Sequence, residues 1–171
     1  MTARRRLAGL ALAVLVAVGL TSCAGEDQRG SAAHRMSEWV SGTSFGEDIG
    51  TLVADNERVP QDVRNGTGAV HAACGTIEDD AETANQELPT PDSEVSDWLS
   101  EAYGLEGTAG TLCYQAGATN ATLLAKAERD SIKAEALYTQ VLARIAVIDG
   151  RTPSTTTTTD NAAGSIFGSA P

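Results

Sequence analysis

The amino-acid sequence predicts an all-α protein, an antiparallel bundle of about four helices with a disordered N-terminal tether and a disordered Thr/Ser-rich tail. Apolar residues recur at spacings of three and four through most of residues 31–149. Almost no stretch shows the strict alternation of a half-buried strand. Proline and glycine separate the apolar runs and leave only short connections between them.

The first helical region is expected over residues 31–58, with Met36, Trp39, Val40, Ile49, Leu52 and Val53 as its apolar positions. Ser41-Gly42-Thr43-Ser44 interrupts it. Val59-Pro60 should end it, because proline suits a first helical turn and disfavours helix in the residue before it. A second helix is expected over residues 60–87, where Val70, Cys74, Ile77, Ala81, Ala84 and Leu88 form one face. Leu88-Pro89-Thr90-Pro91 makes the turn, and Asp92 or Ser93 caps the third helix. That helix carries Val95, Trp98, Ala102, Leu105, Ala109, Leu112 and Ala116. Gly104, Gly107 and Gly110 fall off that stripe and weaken the helix by about 1 kcal/mol each relative to alanine.

Gly117 is a natural stop, and Thr119 or Asn120 can cap the fourth helix. There Leu124, Ala127, Ser131, Ala134, Tyr138, Val141, Ile145 and Ile148 keep the spacing, with Lys126, Arg129, Lys133 and Arg144 on other faces. That describes an amphipathic helix of about 29 residues, which Gly150 ends. Packed together, these stripes make a core rich in alanine and poor in aromatics, with close helices and little room for a pocket.

Ahead of the bundle stands a leader. Arg4, Arg5 and Arg6 precede an apolar run from Leu7 to Leu20, too short to span roughly 30 Å of hydrocarbon. Leu20-Thr21-Ser22-Cys23 then resembles the lipobox of bacterial lipoproteins. Residues 1–22 are therefore read as a signal peptide and 23–30 as a tether, with Cys23 as the lipidated residue. Two acyl chains would hold the chain on the outer face of the cytoplasmic membrane, at about 0.8 kcal/mol per buried CH₂. The arginines suit ordinary export, although the twin-arginine route stays open. At the other end, residues 150–171 change to threonine, serine, glycine and alanine and are expected to be disordered. The threonine run is a plain tail or a carrier of O-linked sugar.

Without its leader the chain carries nine Lys and Arg against 23 Asp and Glu, a net charge near −14. Sixteen of those acids lie between Glu38 and Glu106, against only Arg58 and Arg64. Such a surface repels phosphate, so nucleic acid is excluded as a partner. Once lipid takes Cys23, Cys74 and Cys113 remain in an oxidising compartment and are expected to form a disulfide. The bridge poses a geometric problem. In a symmetric hairpin turning at Pro89, Cys74 faces residue 104, and the nine-residue offset to Cys113 is about 13 Å along a helix, beyond disulfide reach. Either the helix kinks between Gly104 and Gly110 or it begins late; the kink is the preferred expectation.

Catalytic and metal-binding constellations are not found in the sequence, and no cofactor is expected. His34 and His71 are the only histidines. His71 and Cys74 have a metal-ligand spacing, but a disulfide removes the thiolate and leaves a packed histidine. Glu78, Asp79, Asp80 and Glu82 lack the glycine and alternating ligands of a calcium loop and read as a solvated face. Asn65-Gly66-Thr67 and Asn120-Ala121-Thr122 match the glycosylation sequon, which usually goes unused in a bacterial host. Trp39 and Trp98 are expected in the core.

The lipobox, the segments His71-Ala72-Ala73-Cys74-Gly75-Thr76 and Leu112-Cys113-Tyr114-Gln115-Ala116-Gly117, and Ala143-Arg144-Ile145 resemble small actinobacterial lipoproteins of the mycobacterial type. The resemblance implies an envelope location and a helical fold, and carries no activity. The expected function is a non-catalytic interaction module whose partners are the membrane, through Cys23, and an envelope protein or cell-wall component. The alternative is a small-ligand or cation carrier at the cell surface.

Overall fold

The structure, a computed structural model, describes residues 30–153. The signal peptide, Cys23 with nearly all of the tether, and the tail from residue 154 lie outside the described residues. Those described form five helices and no strands: α1 (Ala32–Gly42), α2 (Phe45–Asn65), α3 (Thr67–Asn85), α4 (Ser93–Ala116) and α5 (Ala121–Ile148). They pack as a helical bundle. The central layer is α4, packed between α3 and α5, with α2 against α3.

Caps place most of the boundaries. The Ser31 hydroxyl accepts the His34 N–H at the start of α1. The expected interruption at residues 41–44 separates α1 from α2. Glu87, just past the end of α3, holds that corner: its Oε1 accepts the Ser44 N–H at 3.0 Å and the Ser44 hydroxyl at 2.8 Å. Asp92 caps α4 by accepting the Val95 N–H at 3.0 Å, and Asn120 caps α5 by accepting the Leu123 N–H at 3.2 Å. Arg144, near the far end of α5, reaches back to Asp92 at 2.9 Å and Glu94 at 3.2 Å. Burial alone would raise the Asp92 carboxyl, but the Arg144 and Val95 bonds outweigh it and hold the group below the ordinary carboxylate range.

Pro60 does not end a helix; it sits inside α2, which runs on to Asn65. A mid-helix proline costs one N–H bond and crowds the preceding turn, and here the packing of Val59 and Val63 against the bundle carries the helix past it. The break falls at Gly66, whose φ of 104° is a backbone conformation that side chains rarely adopt.

The disulfide joins Cys74 and Cys113, with Cα atoms 5.7 Å apart. The kink expected between Gly104 and Gly110 does not break α4, which runs unbroken from Ser93 to Ala116. The offset is instead taken up by the connection: residues 86–92 carry the chain past the end of α3 before α4 begins at Ser93, where the sequence placed its start. Trp39 donates its indole N–H to the Glu87 carbonyl in that connection, at 3.3 Å. Gly110 then lies directly on α3. A Cβ added there would stand 2.9 Å from the Cys74 carbonyl oxygen and 2.9 Å from the Glu78 nitrogen.

The buried side chains form two apolar clusters along the bundle. The larger includes Leu52, Ile77, Leu99, Tyr103, Tyr138 and Val141. The smaller consists of Val70, Cys74, Ala109, Cys113 and Ala127. Trp39 and Trp98 pack on the margin of the larger cluster and are only partly buried.

Candidate functional site

A polar layer lies between the two clusters. On α4, Glu106 stands between Tyr103 and Ala109; on α5, Ser131 stands between Ala127 and Ala134; on α2, Asn56 stands between Leu52 and Val59. Glu106 is fully buried, at 0 % exposure. Its Oε2 accepts the Asn56 side-chain N–H at 2.8 Å and faces the Ser131 hydroxyl at 3.3 Å. Ser131 can instead donate to Asn56 Oδ1, at 3.0 Å. Oε1 has no hydrogen-bond partner among the described residues, and neither has the buried Tyr138 hydroxyl. Burial pushes the Glu106 carboxyl up to about 7, against the bonds from Asn56 and Ser131 that favour its charged form. Burial, then the neighbouring Glu106, also raises the Tyr138 phenol.

Beside this layer α2 and α5 stand apart. Past Leu52 no residue of α2 is fully buried, so its second half leaves a groove of about 540 Å³ against α5. The expectation of a core too tight for a pocket is therefore overturned. Alanine and glycine do bring α3 and α4 together, but α2 offers only Val59 and Val63 to the smaller cluster and cannot close over it. Val59, Pro60 and Val63 form one wall, and Leu124, Ala127 and Ile132 the other. Ile77, Ala109 and Cys113 contribute from α3 and α4, and Asn56 and Ser131 bring the polar layer to the surface of the groove. Ile132 is 55 % exposed beside it. The ionisable side chains of the lining are Glu57, Glu128 and Glu135. Burial, then the like charge of Glu57 on the opposite helix, raises the Glu135 carboxyl.

The other residues singled out in the sequence are spread elsewhere. His71 stacks on Tyr114, with ring centroids 4.2 Å apart, outside the groove. Glu78, Asp79 and Glu82 face solvent. Among the described residues no three His, Cys, Asp or Glu side chains are grouped to hold a metal ion, and no helix is long and apolar enough to cross a membrane. Both sequons sit at helix junctions, where Thr67 accepts the Ala118 N–H at 3.3 Å and Asn120 serves as a cap. Glu106 is the residue that sequence reasoning missed, because it was counted among the surface acids. A signal was present: Leu99, Tyr103, Glu106, Gly110 and Cys113 follow one another at helical spacing, as a second stripe beside the first.

No family model, no curated protein and no solved structure matches the chain. The geometry therefore carries the functional reading.

Proposed function

We propose that this chain is a lipid-anchored envelope protein of actinobacterial type, held by Cys23 on the outer face of the cytoplasmic membrane, and that it works by binding rather than catalysis. The binding surface is the α2–α5 groove. What supports this is its form: apolar walls around about 540 Å³, within the roughly 300–1,000 Å³ of small-molecule pockets, with a few polar groups in the lining. Neither histidine lies there, and the hydroxyl in its lining, that of Ser131, faces a carboxyl and an amide rather than a base. Of the two functions expected from sequence, the groove favours the small-ligand carrier. The exposed Ile132 at its margin favours, as a second reading, an envelope protein that docks over the same surface.

The test is calorimetric, on the lipidated full chain in dodecyl maltoside with protein-free micelles as the blank. A neutral biphenyl probe, 4-phenylbenzyl alcohol, should bind saturably at one site. Ala125→Trp, on a half-exposed helical position of the lining, should abolish that heat while leaving the helical circular dichroism intact. Wild-type protein that shows no saturable heat rules the groove out.

A further inference from the structure

We infer that the α2–α5 groove takes a small organic cation, a protonated amine carried on an apolar body. The inference rests on the binding role proposed above and gives its occupant a chemistry. Walls made of valine, proline, leucine and isoleucine reward an apolar body and offer it few hydrogen bonds. The charges in the lining then choose among apolar bodies. Glu57 projects from α2, Glu128 and Glu135 project from α5, and no lysine, arginine or histidine lines the groove with them.

Two of the nearby bases are engaged elsewhere. Lys133 pairs with Asp130 at 2.7 Å and Arg58 with Asp55 at 3.3 Å. An anionic headgroup entering the groove would meet three like charges. A neutral one would gain nothing from them, whereas an ammonium gains from each. Glu57 and Glu135 already sense one another across the opening, since Glu57 adds to the burial that makes Glu135 hold its proton more tightly. A bound cation relieves that repulsion, as a proton does. The buried Glu106 sits one layer deeper, with Asn56 and Ser131 between it and the ligand space. Its negative form would add to the same field.

Three probes sharing one body separate charge from shape: 4-phenylbenzylamine, 4-phenylbenzyl alcohol and 4-phenylbenzoate, titrated at neutral pH into the lipidated full chain against protein-free micelles. The amine should bind at least about 10-fold tighter than the alcohol, and the benzoate most weakly. Added salt should shrink the amine's advantage. Glu57→Gln, Glu128→Gln and Glu135→Gln together should erase it, while Glu101→Gln, exposed and off the groove, should leave it in place. Equal binding of amine and alcohol overturns the cation preference and leaves the groove reading standing. No saturable binding of any probe overturns both. Self-association that Ala125→Trp abolishes, seen by sedimentation, would show that a second copy occupies the groove and would also overturn the inference.

Discussion

Glu106 couples the polar layer to pH. Its carboxyl is buried with one oxygen bonded and the other unpartnered, so the charged form is the costly one. The folded chain holds the proton to about pH 7, against an ordinary value of 4.5. The unfolded chain releases it earlier. The stabilising contribution is therefore complete below about pH 4.5 and is lost as pH rises through about 7, a difference of roughly 3 kcal/mol at most. Glu106→Gln keeps an acceptor for Asn56 and Ser131 and removes the titration. Urea denaturation should show the wild type losing stability between pH 5 and 8, and the variant losing less and standing as the more stable protein at pH 8. Identical pH profiles would show that Glu106 is not the titrating group. Gly110 offers a second contrast. A methyl group there would meet α3 backbone at 2.9 Å, so Gly110→Ala should cost about 1–3 kcal/mol by overpacking. At Gly104 a Cβ meets nothing within 4 Å, and Gly104→Ala should stabilise by about 0.5–1 kcal/mol through helix propensity. Thermal melts of the two variants should move in opposite directions.

The helices and their connections explain how the disulfide fits. Register between α3 and α4 is set where α4 begins. Residues 86–92 overrun the end of α3, and their hydrogen bonds to Trp39 and Ser44 keep them in place. Cys113 then arrives opposite Cys74 without a broken helix. The bridge closes a separation of 39 residues, worth about 4 kcal/mol in the chain-entropy account. Replacing both cysteines with alanine should lower the melting temperature by an amount that reduction of the wild type reproduces. If reduction leaves the wild-type melt unchanged, the bridge contributes no stability. The second half of α2 shows what the bridge does not hold. It lies next to the smaller cluster, is interrupted by neither Pro60 nor a cap, and stays only partly buried until Gly66 turns the chain.

Viewed whole, the molecule combines a bundle divided by a polar layer with a proposed lipid attachment at Cys23. Two signals, or one modification with two acyl chains, are needed for stable membrane anchoring. The anchor prediction is therefore direct: Cys23→Ala should move the protein from the membrane fraction to the soluble fraction, or leave it with its leader attached. Unchanged mass and unchanged detergent partitioning would exclude the lipid. The carboxyl-rich stretch between Glu38 and Glu101 also bears on what would reach the groove, since it repels anions and concentrates cations near the protein.

Much of this architecture could be read from residue order alone, because helix is a local property. The apolar spacing of α3 and α5, the break at residues 41–44, the caps at Asp92 and Asn120, and the pairing of Cys74 with Cys113 depend on neighbours a few residues away or on how many cysteines there are. Packing decided the rest. Pro60 reads as a helix boundary until the flanking Val59 and Val63 are seen to pack on the bundle. Glu106 reads as a surface acid until α2 and α5 supply Asn56 and Ser131 around it. The groove exists because two helices far apart in the chain fail to close on one another, and no local pattern encodes the distance between them.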